Sequence, residues 1–145
     1  MATVVIRPLD RAGIEDVLRR NTVGRLAFIT DESVDIEPIH YVFHAGNIFA
    51  RTTGGTKLAA IARHHRVAFE VDESDALFEW RSVVVKGPML RVPTEAREEW
   101  SQAIDALRRL VPQALTEDDP TPDRTVVFRI PADRATGRIA SGLSK

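Results

Sequence analysis

The segment Phe49–Lys57 (Phe-Ala-Arg-Thr-Thr-Gly-Gly-Thr-Lys) combines residue types that proteins use to bind a phosphate. If its first half is a strand, Arg51 and Thr53 share a face with the leading phenylalanine. The two glycines let backbone amides approach a ligand closely, and Thr56 and Lys57 would begin a helix, where free N–H groups favour an anion. The segment is not a Walker A loop. It predicts either an anion site or a polar hairpin exit with two solvated cations.

A second segment, Glu79–Gly87, alternates like a strand and places Trp80, Ser82 and Val84 on one face. On a barrel wall, the indole and the hydroxyl could contact the edge of a planar ring. A core tryptophan beside a hydrogen-bonded serine would give the same alternation. The residues alone leave both interpretations open.

Metal binding and acid–base catalysis find little support in the remaining polar residues. His40 and His44 would share a strand face but lie about 13 Å apart, at ~3.3 Å per residue, too far to bind one metal together. The absence of cysteine excludes disulfides, thiolate catalysis and Cys-ligated zinc. Glu70 and Asp72 are interpreted as a solvated or cation-paired strand face. We therefore predict no metal site and assign no catalytic acid or base.

The elements that must position these residues are mostly hairpins. Apolar periodicity predicts helices over 9–20, 57–65 and 95–110, the last with Thr94 as its N-cap. Alternation predicts strands over 23–30, 34–44, 48–53, 67–72, 80–92 and 125–130. Pro38 cannot donate to a ladder and so marks an edge or a bulge. The predicted fold is mainly β with flanking helices, a six-stranded antiparallel barrel.

Length and charge limit the class of protein. The 145 residues fit a single domain over 1–145, and a net charge of -1 provides no basic field for nucleic acid. No uncharged run approaches the roughly 18 apolar residues of a membrane span, and the first residues do not read as a signal peptide. We expect a cytoplasmic protein that binds neither nucleic acid nor membrane.

Seven short stretches, spread over most of the chain, resemble corresponding stretches of a known family. They are 21–27, 38–42, 48–52, 55–58, 67–72, 80–87 and 136–138. Their residues and order resemble the FMN-binding split-barrel family related to pyridoxamine 5'-phosphate oxidase. The most similar subgroup comprises small bacterial proteins that include nitroimidazole-resistance proteins.

The resemblance implies a six-stranded split barrel, a homodimer, and FMN bound in grooves at the dimer interface beside a small-molecule substrate. It assigns the phosphate and ribityl chain to one set of residues: Arg51, Thr52, Thr53, Thr56 and Lys57. It assigns the isoalloxazine to His40, Val42 and Phe49, and it includes Leu58 in the cofactor-binding segment. Trp80 and Ser82 would contact the flavin, within one chain or from the partner subunit.

The resemblance implies an FMN-dependent oxidoreductase of unknown substrate, in which the flavin carries the electrons. Oxidation of a vitamin B6 substrate is disfavoured, because the true oxidases carry an Arg-x-His pair near the C-terminus and 138–145 contain none. Arg81 follows Trp80 where a serine is expected, which leaves the phase of this strand open. The alternatives are a reductase that uses the deazaflavin F420 and a non-catalytic protein that binds a flavin or haem.

Overall fold

A computed structural model describes residues 3–142, which form helices and antiparallel strands. The helices are α1 (Arg11–Arg20), α2 (Thr56–Arg63) and α3 (Arg97–Leu110). The strands are β1 (Val4–Pro8), β2 (Val23–Ile29), β3 (Val34–His40), β4 (Val42–His44), β5 (Asn47–Thr52), β6 (Arg66–Ala76), β7 (Glu79–Pro88), β8 (Leu90–Arg91), β9 (Val126–Pro131) and β10 (Ala135–Gly142).

The strands build two antiparallel sheets. The larger has six strands in the order β1-β10-β7-β6-β2-β3, and the smaller has four in the order β4-β5-β9-β8. This arrangement confirms the prediction of a mainly β, six-stranded antiparallel fold of the split-barrel type. No helix within residues 3–142 combines the length and apolar character needed to cross a membrane.

The main core lies between the sheets, where the strands that build it each direct an apolar face inward. The six-stranded sheet contributes Leu26, Phe69, Val83 and Val85, and the four-stranded sheet contributes Ile48, Ala50, Phe128 and Ile130. Helix α1 adds Val17 and Leu18, both fully buried. Burying each large side chain stabilises the fold by about 1.5–3 kcal/mol. A smaller core forms where α3 covers the outside of β5 and β9.

The predicted strand over 34–44 is interrupted at Tyr41. This side chain is fully buried, donates its hydroxyl to the Leu18 carbonyl at 2.7 Å and meets the Phe69 ring edge-on. The chain leaves the six-stranded sheet after β3 and enters the four-stranded sheet with β4. β3 is an edge strand, as Pro38 indicated, and one of its faces is open, since Ile36 is 66% exposed.

The structure differs from the predictions in three further ways. Strands β1 and β10 were not predicted, because one is a short run ending in Pro8 and the other reads as small and polar. The predicted strand over 80–92 ends at Pro88 and resumes only as the short β8. Thr94 does not cap α3: it lies in a turn in which the Ala96 amide donates to the Pro93 carbonyl, and Ala96 holds the N-cap position.

Candidate functional site

A groove of about 510 Å³ opens where β5 leaves the sheet, between β3, the loop at 53–55 and the start of α2. We call it the strand–helix groove. It brings together His40, Arg51, Thr52, Thr53, Thr56 and Lys57 of the predicted cofactor residues. Its other lining residues are Val23, Glu37, Pro38, Ile39, Gly54, Gly55 and Arg124.

The first turn of α2 contributes free backbone donors to this groove. Gly55 is the N-cap residue, and no side chain caps the turn. Its φ of +143° is in a region that side-chain-bearing residues rarely adopt, so glycine is needed at this bend. Amides without a side-chain acceptor, at the positive end of the helix dipole, favour an anion.

Arg51 lies in the groove wall but is only 7% exposed. Its guanidinium donates to both carboxylate oxygens of Asp119, with Nη2–Oδ1 at 2.9 Å, and to Thr121 Oγ1 at 2.9 Å. Asp119 also accepts from the amides of Leu115 (2.7 Å) and Thr121 (2.9 Å). The guanidinium and these amides hold the pKa of the Asp119 carboxyl well below its usual range. Arg51 therefore organises the loop between α3 and β9.

Lys57 also has an acidic partner, but a more exposed one. Its ammonium donates to Glu37 Oε1 of β3; the Lys57 side chain is 18% exposed and that of Glu37 is 39% exposed. Arg124, which the Arg51-bound loop brings to the groove, makes no ion pair within residues 3–142. Among the residues that the structure describes, the groove thus holds one buried, neutralised cation, one cation with a partly exposed carboxylate partner, and one unpaired cation.

Sequence reasoning missed Glu37, Asp119 and Arg124. Glu37 lies 20 residues from Lys57 and Asp119 lies 68 residues from Arg51, so no local spacing relates the partners. The loop at 116–123 is acidic and contains two prolines, and nothing in this composition shows that it folds back onto β5.

Trp80 and Ser82 lie on a different surface. The face of the six-stranded sheet that points away from the core, here the outer face, carries both, half-buried, with Val84. In register, Trp80 is opposite Ala140 and Ser82 is opposite Arg138. A groove of about 730 Å³ on this face, the sheet groove, is lined by Ile6, Arg7, Pro8, Ser82, Val84, Lys86, Thr136, Gly137 and Arg138. One chain does not bring Trp80 or Ser82 to the strand–helix groove.

Three other predicted cofactor residues lie away from the strand–helix groove. Phe49 is 1% exposed and packs beneath α3 with Ile104 and Val127. It shares a face of β5 with Arg51, as predicted, but protein covers that face. Val42, its partner in register, packs against the same cluster, and Leu58 is half-buried against the main core.

Glu70 and Asp72 form the cation-paired strand face that the sequence indicated. Arg25 Nη1 lies 3.7 Å from Glu70 Oε1 and 3.9 Å from Asp72 Oδ2 on the outer face. Burial and the neighbouring Asp72 raise the pKa of Glu70 to about 7. Among residues 3–142, no group of three His, Asp or Glu side chains is placed to hold a metal ion.

The split barrel and its cation-lined groove define a class of small β-proteins, and sequence comparison identifies the family. The family model described as pyridoxamine 5'-phosphate oxidase matches residues 10–139. The chain belongs to this family. No curated protein matches the chain.

Solved structures extend the comparison. A FAD-binding protein from Mesorhizobium loti is 27% identical, with a TM-score of 0.74 over 97% of this chain and 99% of that chain. The FAD-binding protein from Mycobacterium smegmatis is also 27% identical, with a TM-score of 0.69 over 92% and 99%. A protein from Bacteroides thetaiotaomicron, suggested to confer 5-nitroimidazole resistance, shares the fold at 19% identity, with a TM-score of 0.76 over 97% and 90%.

Proposed function

We propose that the protein is a flavin-dependent oxidoreductase that binds FMN, with the phosphate in the strand–helix groove. The observation that carries the proposal is the convergence of Lys57, Arg124 and the uncapped first turn of α2 in one groove. Membership of the family and the likeness to two FAD-binding proteins support a flavin as the ligand.

The groove residues fit a phosphorylated, hydroxylated chain. Lys57 and Arg124 supply charge-assisted donors to the phosphate oxygens. The hydroxyls of Thr52, Thr53 and Thr56 line the groove and can donate to, or accept from, the phosphate and the ribityl hydroxyls. Arg51, bound to Asp119, positions the loop that carries Arg124 rather than offering a free fork to the ligand. A bound flavin would supply the electron transfer.

We also propose that the protein is a homodimer joined across the outer face. Large apolar side chains are exposed there, including Val34 (71%) and Ile36 (66%) at one edge and Ile6 (56%) at the other. Exposed apolar patches commonly mark interaction sites. His40 is on the same face as Ile36, so a second copy could bring its Trp80 and Ser82 to the open side of the strand–helix groove. A small substrate would then reach the flavin ring at the interface.

The phosphate anchor alone does not choose between phosphorylated cofactors. FAD is the second candidate, because two proteins at 27% identity bind it. F420 and a non-catalytic flavin or haem complex are the remaining alternatives. The absorbance of the loaded protein separates flavin, deazaflavin and haem rings, and the mass of the ligand released by heat separates FMN from FAD.

The anchor is tested by Lys57→Met in flavin titrations of the ligand-free protein. Losing one charge-assisted contact of about 1.5–3 kcal/mol should weaken FMN binding roughly 10- to 150-fold. Riboflavin, which lacks the phosphate, should bind as it does to the unaltered protein. The matched control is Arg63→Met at the far end of α2, a 58% exposed cation. Equal FMN affinity in the two variants would refute the anchor.

A further inference from the structure

We propose that Glu37 is a built-in competitor for the phosphate site, which lowers the affinity for phosphorylated ligands and keeps such a ligand exchangeable. This inference rests on the proposed function, since it concerns the same anchor. The observation behind it is the ion pair between Glu37 and Lys57, in which a carboxylate of the protein already holds the ammonium assigned to the ligand.

The two carboxylates that pair with cations of the groove differ in how firmly they are held. The Asp119 side chain is 2% exposed and accepts hydrogen bonds from Arg51, Thr121 and the Leu115 amide. Glu37 is 39% exposed, and its side chain contacts a single donor, Lys57, within residues 3–142. Asp119 is therefore a fixed part of the structure, whereas Glu37 can turn into solvent at little cost.

The position of Glu37 makes it compete with an anion. It belongs to the edge strand β3, whereas Lys57 belongs to the first turn of α2, and both line the strand–helix groove. A phosphate that reaches the first-turn amides also reaches Lys57, where it meets the Glu37 carboxylate. The phosphate and the Glu37 carboxylate are both negative and would repel each other at the same ammonium. The carboxylate must therefore leave Lys57 when the phosphate binds.

The remaining charged groups near this pair do not remove the competition. The Arg51 charge is compensated by Asp119, and Arg124 lies on the loop that the Arg51–Asp119 pair holds. His40, on β3, is the other titratable group that lines the groove. Arg124 thus provides the one lining cation, among the residues described, that a phosphate can approach without displacing a carboxylate.

The first test compares FMN and riboflavin binding in Glu37→Gln, which keeps the side-chain size and removes the charge. Losing a competitor from a partly exposed ion pair should tighten FMN binding about two- to fivefold, while riboflavin binding stays unchanged. Asp35→Asn is the matched control: it removes the same charge from the same face of β3, and its side-chain contact is with Ser33. A merely structural Glu37 would change stability without altering the ratio of the two flavin affinities.

A double variant and a probe without flavin complete the test. In a Lys57→Met background, Glu37→Gln should give a smaller gain, because the competed ammonium is absent. At matched ionic strength, inorganic phosphate should raise the Tm of Glu37→Gln more than that of the unaltered protein or Asp35→Asn.

Equal phosphate-induced Tm shifts in the three proteins, or the same FMN gain with and without Lys57, would overturn the role of Glu37 even if the flavin assignment stands. Conversely, failure of FMN to bind would refute the proposed function, and the phosphate series would still decide the role of Glu37.

Discussion

Arg51 and Lys57 have the same sign of charge but different environments. The Arg51 guanidinium is buried against Asp119, and removing one partner of a buried pair leaves an uncompensated charge at a high cost in stability. Lys57 meets a partly exposed carboxylate, and such pairs contribute little to stability. A loss of flavin binding on changing Lys57 is therefore easier to interpret than one on changing Arg51.

At this scale, the sequence identified the residues on the groove's own strand and helix but not their partners. The segment Phe49–Lys57 contains two of the three groove cations, the glycines and the threonines, because they are local in the chain. The partners of the cations are distant, and α3 covers Phe49 through packing that the alternation of β5 cannot reveal. Charge compensation and burial are tertiary properties.

Glu70 makes stability depend on pH in a defined direction. Its pKa rises from 4.5 to about 7 on folding, so the folded state binds the proton more tightly than the unfolded state does. Stability is therefore lost as the pH rises from about 4.5 to about 7. Glu70→Gln should be more stable than the unaltered protein at pH 8, by about 1–2 kcal/mol after discounting for solvent screening, and equally stable at pH 4.

Thermal unfolding at the two pH values checks this prediction. Glu95→Gln, at an exposed position before α3, is the control for the loss of one carboxylate. A stabilisation by Glu70→Gln that is the same at pH 4 and pH 8 would contradict the assignment.

At the scale of elements, the bend between β5 and α2 is the part that the site depends on most. Gly55 has a φ of +143°, whereas a Cβ at Gly54 would meet only Leu58 Cδ1, at 3.9 Å. Gly55→Ala should thus strain the bend by about 1–3 kcal/mol, lower the Tm and weaken FMN binding. Gly46→Ala, in the turn before β5 and outside the groove, changes a glycine with a φ of +78° and should bind FMN normally. Titration and melting of both variants test this, and equal behaviour would show that the bend is not required.

The elements that the sequence predicted poorly share a cause. The predicted strand is interrupted at Tyr41, whose hydroxyl donates to the Leu18 carbonyl and whose ring packs against Phe69. The alternation of residues in the sequence does not reveal these contacts. The sequence of β10 is small and polar, and its partners on both sides, rather than its own side chains, hold it in the sheet. At Gly24, a Cβ would come within 2.3 Å of the Phe69 ring, a packing constraint visible only in three dimensions.

At the scale of the whole molecule, the residues assigned to the flavin divide between two surfaces, except for Val42, Phe49 and Leu58, which pack against the cores. One chain supplies the strand–helix groove, and Trp80 and Ser82 lie on the outer face. The family resemblance predicted the barrel and assigned flavin contacts to both Phe49–Lys57 and Glu79–Gly87, because the order of the matching segments in the chain carries that information. Periodicity alone could not show that the strands divide between a six-stranded and a four-stranded sheet.

The proposed dimer is tested with Ile36→Glu. Ile36 is 66% exposed on the outer face, so the charge should leave the fold of one chain intact but disfavour a second copy. We expect a lower molar mass by light scattering and weaker FMN binding. Leu77→Glu is the matched control, since Leu77 is 78% exposed in the turn between β6 and β7. A dimer that persists in Ile36→Glu, or a monomeric unaltered protein, would count against this interface.

The central claim is that the strand–helix groove binds the phosphate of a flavin. The most direct measurement is the ratio of FMN to riboflavin affinity for the ligand-free protein, since the two ligands differ only in that phosphate. We predict that FMN binds at least about tenfold more tightly, as one net charge-assisted contact requires. Equal affinities, or binding of neither flavin, would contradict the claim.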